Sequence, residues 1–97
     1  MADKKKAPRA CLTKEDEECV IDLGKFYFLS GKYDAAISEF IKAQKFDPKN
    51  ADIYYNLGII YEAKNEPGKA KDMYLKCLEL NDKYTLAKEH LDKLVGE

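Results

Sequence analysis

Few side chains in this chain are equipped to make or break bonds, and their spacing limits what they can do. His90 is the single histidine among 97 residues, and a lone imidazole makes no metal site. Cys11, Cys19 and Cys77 lack the spacing of metal ligands, and three thiols cannot all pair. Cys77 is expected to fill a small packing position. Cys11 is open to oxidation, but nothing near it in the sequence would use a thiolate. A glycine-rich phosphate loop, a catalytic pair of carboxylates and a nucleophile motif are all missing from the sequence. The chain reads as a non-enzyme that needs no cofactor and no metal ion.

The remaining signal is apolar side chains placed for contact. Between Cys19 and Leu29 the only clearly polar residues are Asp22 and Lys25. Val20, Leu23, Gly24 and Tyr27 make one helical stripe, and Ile21, Phe26, Phe28 and Leu29 fall outside it. A helix that is apolar on nearly all sides is normally buried on nearly all sides. Phe26 and Ile60 are assigned to packing between successive helix pairs. Ile21, Lys25 and Phe28 are left over, and Tyr55 and Ile59 follow the same i, i+4 line further along the chain. Either a partner covers this line or the chain's own flanking helices do.

The elements that must position these residues are written twice. Val20, Leu23, Gly24, Tyr27, Ala36, Phe40, Ala43 and Pro48 recur 34 residues on as Tyr54, Leu57, Gly58, Tyr61, Ala70, Tyr74, Cys77 and Asp82. Leu23, Gly24 and Tyr27 share one side of a helix, and Ala36, Phe40 and Ala43 share one side of the next, so each copy is a pair of amphipathic helices that can face each other. Gly24 and Gly58 sit inside helices, where glycine costs about 1 kcal/mol against alanine. Close approach of the second helix explains that cost, with Ala36 and Ala70 as the facing small residues. Gly31 and Asn65 hold equivalent places between the helices, and both tolerate the left-handed backbone that ends a helix.

Boundary signals agree. Thr13 and Asp16 form a capping box, and the acidic run 15–18 lies over the first turn of a helix expected over residues 14–29. Asp47-Pro48 closes the second helix, Asn50 caps the third and Pro67 suits the first turn of the fourth. Residues 81–85 open a final helix over 86–95, with Ala87, Leu91, Leu94 and Val95 on one face. Leu86, Leu91 and Leu94 are expected to cover apolar surface left by the last hairpin, and His90 to lie on the solvent side.

The 34-residue period and the Leu-Gly-x-x-Tyr, Ala, aromatic, small-residue pattern resemble the tetratricopeptide repeat (TPR) family. The resemblance is close over residues 17–84 and loose over the last dozen. It implies an all-α fold: a short right-handed α-solenoid of two helix-turn-helix repeats, 17–50 and 51–84, with a terminal capping helix, 85–97. The repeats and cap make one domain, 14–97, behind a flexible basic tail, 1–13; an unrelated four- or five-helix bundle is the alternative. Val20 stands where the family has a bulky aromatic, Cys77 where it has Ala, Pro67-Gly68 where an aromatic pair begins and Asp82 where it has Pro, so the second turn is expected to be less regular.

The resemblance also implies a function, binding another polypeptide. In the family, the line through Ile21, Lys25, Phe28, Tyr55 and Ile59 faces a concave groove. Asn56 matches one position of a clamp that some members use to hold the carboxylate of a chaperone tail. Ile21 and Lys25 stand where that clamp has Lys and Asn, and Leu86 and His90 replace its basic pair, so the clamp does not fit. The implied partner contacts are Ile21, Lys25, Phe28, Tyr55, Asn56, Ile59 and His90. They line an apolar, aromatic groove with polar edges, suited to a helix or an extended protein segment with hydrophobic anchors.

Composition excludes other classes. Hydrophobic residues at 45 % and charged residues at 36 % describe an ordinary soluble chain, with no apolar run near the roughly 18 residues of a membrane span. The N-terminal lysines are followed by no apolar stretch that would make a secretory signal, and cytoplasmic location is the default. Lys4, Lys5, Lys6, Arg9 and Lys14 against Asp3 give the first fourteen residues +4 and leave −5 on the rest. Residues 1–10 read as a solubilising tail, the alternative being contact with an acidic partner or nucleic acid. An acidic body without base-stacking aromatics on a basic stripe argues against nucleic acid as the main ligand. The leading reading is a small adaptor or assembly factor that binds a protein segment. The alternative is a structural subunit, either a homo-oligomer or permanently built into a larger complex; a tail-driven binder of acidic surfaces is a weaker third.

Overall fold

Local residue chemistry sets the limits of each helix. The computed structural model describes residues 17–95, which form α1 (Glu17–Leu29), α2 (Tyr33–Phe46), α3 (Ala51–Ala63), α4 (Pro67–Leu80) and α5 (Thr85–Val95). Helices are the only regular elements among these residues. The expected capping box at Thr13 and Asp16, the start of the first helix at residue 14 and the basic tail lie outside the described residues. None of the described helices is long and apolar enough to cross a membrane.

Both hairpin turns use the same device. Gly31 (φ 80°) and Asn65 (φ 66°) adopt the left-handed conformation. Lys32 N–H then bonds to Tyr27 O at 2.8 Å and Gly31 N–H to Phe28 O at 3.0 Å, while Glu66 N–H bonds to Tyr61 O and Asn65 N–H to Glu62 O, both at 2.9 Å. This pair of bonds satisfies carbonyls that the helix end leaves open. The less regular second turn expected from Pro67-Gly68 is not found. Pro67 opens α4 at its first position, where the missing N–H costs nothing. Asn50 caps α3 by accepting from Asp52 N–H at 3.0 Å.

The chain divides into two compact units that meet between Pro48 and Lys49. In the first, α1 packs on α2. A Cβ built on Gly24 would lie 2.7 Å from Cε2 of Phe40, so the absent side chain makes room for an aromatic ring. Ala36, expected as the facing small residue, is fully buried, and the atoms nearest the notch are those of Phe40. Cys19 is buried and disulfide-bonded. The expectation that α1 is covered on nearly all sides fails at its end, where Leu29 is 83 % exposed. Glu39, the one charged residue buried among those described, is 8 % exposed; its Oε2 meets Lys42 Nζ at 3.5 Å and its Oε1 has no hydrogen-bond partner.

In the second unit, α4 packs on both α3 and α5. Gly58 repeats the notch: its Cβ would lie 2.5 Å from Cε1 of Tyr74, so that ring packs into it. Tyr54, Ala70, Tyr74, Cys77 and Ala87 form a buried cluster, and Leu91 and Leu94 pack against it partly buried. Cys77 is free and fills a small site, as its place in the pattern implies. Leu86 departs from expectation. It is 52 % exposed, and Ala87, one residue on, is the fully buried contribution of α5.

Candidate partner-binding site

The residues expected to meet a partner are neither core nor free surface. In the first unit, Ile21 and Phe28 are half-buried on α1 and Lys25 between them is exposed. Phe28 stacks at a tilt on Tyr33, the first residue of α2, with ring centroids 5.6 Å apart. The stripe residue Val20, only one position from Ile21, is fully buried. Helical spacing accounts for the contrast, since neighbouring residues point about 100° apart.

In the second unit, Tyr55, Asn56 and Ile59 are half-buried on α3. Tyr55 and Ile59 pack against the buried cluster. Asn56 Nδ2 donates to Asp52 O at 2.8 Å, a bond within its own helix that occupies part of its polar capacity. His90 was expected on the solvent side of α5. Instead its ring stacks on Tyr74 (5.4 Å, 27°) and meets Tyr55 edge-on (5.8 Å, 70°). Tyr84 approaches Tyr55 as well, at 5.2 Å. Tyr55 therefore stands among three rings, two of them from α5 and the turn before it.

Polar contacts tie the rings down. Glu62 Oε1 accepts from Tyr74 OH at 2.5 Å and lies 3.0 Å from His90 Nδ1. With Glu62 as a carboxylate both neighbours must donate, which places the imidazole hydrogen on Nδ1. A second bond of the same kind runs from Tyr84 OH to Asp52 Oδ1, also at 2.5 Å. Burial raises the Tyr74 and Tyr84 phenols, with the bonds to Glu62 and Asp52 adding to the effect. Tyr55 is raised chiefly by burial and then by the charge of Glu62. Among the described residues, no three His, Cys, Asp or Glu side chains come together in a way that could hold a metal ion. The arrangement can bind by contact.

The sequence pattern singles out Tyr74 only as a packing position of the repeat and does not name Glu62, Tyr84 or Asp52, although a signal exists. Glu62 stands 34 residues after Phe28 and Tyr74 stands 34 after Phe40. The second copy thus gains a carboxylate and a hydroxyl together, and they are bonded to each other.

Comparison with known proteins agrees with this architecture. Residues 24–65 match the family described as TPR repeat and residues 51–84 the one described as Tetratricopeptide repeat. The chain belongs to the tetratricopeptide repeat family, an interaction fold that is generally non-catalytic. It is 35 % identical over 72 residues to the human protein O-mannosyl-transferase TMTC3, covering 73 % of this chain and 8 % of that protein. The crystal structure of MamA protein superimposes with a TM-score of 0.80 at 26 % identity, over 88 % of this chain and 46 % of that one. The first TPR of Spaghetti (RPAP3), solved with the HSP90 peptide SRMEEVD, gives a TM-score of 0.77 at 27 % identity, over 80 % of this chain and 63 % of that one. The chain thus spans less than two thirds of the length of each of these relatives.

Proposed function

We propose that this protein is a non-catalytic adaptor or assembly factor that receives a helix or extended segment of another protein on apolar side chains that each hairpin leaves half-buried, on α1 in the first unit and on α3 in the second. One observation carries the reading. Ile21, Phe28, Tyr55 and Ile59 stay half-exposed after both hairpins have closed, while the neighbouring stripe residues Val20, Tyr54 and Leu57 are buried. Four large apolar side chains kept at a water boundary favour a partner with apolar anchors. Lys25 beside Ile21 and Phe28, and Asn56 beside Tyr55, supply polar edges that would orient the segment, while His90 lies over Tyr55 itself. The peptide held by the first TPR of Spaghetti supports a segment as the kind of ligand, and the poor fit to a carboxylate clamp argues that the ligand here is chosen by apolar anchors.

Photo-crosslinking tests this in cells of the native source. A photoreactive phenylalanine at Ile59 should capture one defined segment of one protein, and the same group at Lys71, exposed on α4, should not. Equal capture from both positions, or none from Ile59, would refute the assignment. Capture of another copy of the chain would instead establish the self-associating subunit. A cytoplasmic setting is our further proposal, and the disulfide at Cys19 argues against it, because thiols are held reduced there. Alkylation of Cys19 in source cells lysed directly into denaturant supports the cytoplasm, and resistance to it there supports an oxidising compartment.

A further inference from the structure

We infer that α5, together with Tyr84, is a lid over Tyr55 which opens without the rest of its unit unfolding. The inference deepens the proposed function, on which it rests for its purpose, since Tyr55 is one of the anchors assigned there. Two rings of the lid, Tyr84 and His90, stand at 5.2 and 5.8 Å from Tyr55. A partner that packs on this ring must displace them.

The attachments of the lid are of the kind that opens readily. Among the described side chains of α5 only Ala87 is fully buried, and it is small. Leu91 and Leu94 are partly buried, and Leu86 is turned to water. By contrast, the α3–α4 hairpin buries Ile53, Tyr54, Leu57, Tyr74 and Cys77. Besides the ring contacts to Tyr55, what fastens α5 and its approach to α3 is polar. His90 meets Glu62, with side chains 28 % and 29 % exposed, and Tyr84 meets Asp52 at an exposed site. Water replaces such partners on opening, so these bonds resist it less than dry packing does. Segments with few buried apolar contacts and solvent-accessible bonds occupy the low end of the range of local opening free energies. The turn at 81–84 is held by bonds of its own, from Lys83 N–H to Asn81 Oδ1 and from Tyr84 N–H to Asn81 O. Both bonds close within 81–84, so the turn can move with α5 as one piece and opening breaks neither.

Hydrogen exchange of the full chain, followed by mass spectrometry at neutral pH, tests the lid without any partner. Amides of α5 should exchange at least about tenfold faster than those of α3 and α4. His90→Ala should speed α5 by about a further tenfold, the scale of one lost bond to a carboxylate, and leave α1 and α2 unchanged. His90→Gln, which keeps a donor, should recover part of the loss. Acetylation of Tyr55 by N-acetylimidazole should rise in step with α5 exchange. Exchange of α5 at the rate of α3 and α4, equal acceleration of every helix by His90→Ala, or acetylation of Tyr55 that ignores His90→Ala would each overturn the inference. A lid that opens in a protein giving no partner crosslink at Ile59 would sink the binding reading alone, and the reverse pair of results would sink the lid alone.

Discussion

Replacing Gly58 by Ala should destabilise the protein although alanine is the better helix former. The propensity gain is about 1 kcal/mol. Against it stands a Cβ that would lie 2.5 Å from Cε1 and 2.8 Å from Cδ1 and Cζ of Tyr74. To regain ordinary contact the ring must retreat by about 1 Å. It has nowhere to go, because Tyr74 is fully buried, stacked on His90 and bonded to Glu62. Overpacking costs about 1–3 kcal/mol, and losing a hydrogen bond to a carboxylate about 1.5–3 more. The net loss should be about 1.5–5 kcal/mol, which for a domain of this size lowers Tm by roughly 6–40 °C. Urea titrations followed by circular dichroism at 222 nm give the value directly, provided the slope is unchanged. Gly68→Ala is the control: the added methyl meets nothing within 4 Å, so stability should hold or rise by up to about 1 kcal/mol. Tyr74→Phe, made in the parent and in the Gly58→Ala variant, then isolates the hydroxyl. If the displaced ring has lost Glu62, this change costs less in the variant than in the parent. A Gly58→Ala protein as stable as the parent would refute the notch, and full additivity with Tyr74→Phe would refute the loss of the bond.

Three further outcomes are expected. Glu39→Met, which installs the residue found 34 positions later at Met73, should raise stability by about 1–2 kcal/mol by removing a buried, half-satisfied carboxylate; a fall in the urea midpoint would show that Glu39 has a stabilising role. Leu86→Gln should change stability by less than about 0.5 kcal/mol while Leu91→Ala costs about 1–2, and the reverse order would mean that α5 is rotated from the orientation described. Burial pushes the Cys77 thiol up from 9.0 to about 11, so the unfolded chain releases this proton first: the contribution is intact below pH 9 and is lost as pH rises towards 11. Urea midpoints at pH 8, 9 and 10 should fall more steeply in the parent than in Cys77→Ala, and parallel profiles would contradict the assignment.

Periodicity and contact geometry differ in what they reveal about this chain. Gly31, Asn65, Asn50 and Pro67 could be placed from sequence because each answers to a constraint within a few residues: a positive φ, an unsatisfied N–H, or a missing donor. The repeat itself was visible because the same packing problem is solved twice at a fixed interval. Which side chain fills a notch is another matter. Ala36 and Ala70 are the small residues the pattern sets opposite Gly24 and Gly58, and both are buried, but a missing Cβ also admits a large flat ring, and the nearest atoms are those of Phe40 and Tyr74.

His90 shows the same limit more sharply. A capping helix with Ala87, Leu91, Leu94 and Val95 on its apolar face leaves His90 to the solvent side only if the helix has just an apolar and a watery face. The surface that α5 meets is itself part aromatic and part acidic, so a residue at the border of both faces finds Tyr74 for its ring and Glu62 for its Nδ1. The informative comparison is between the two copies. Where the first has Phe28 and Phe40, the second has Glu62 and Tyr74, and neither change makes sense alone: a carboxylate against an apolar ring would want a donor, and a buried phenol would want an acceptor. Two polar departures from one repeat pattern, on facing helices, predict each other. Once paired, they leave an acceptor position that a third group from α5 can use, and His90 uses it.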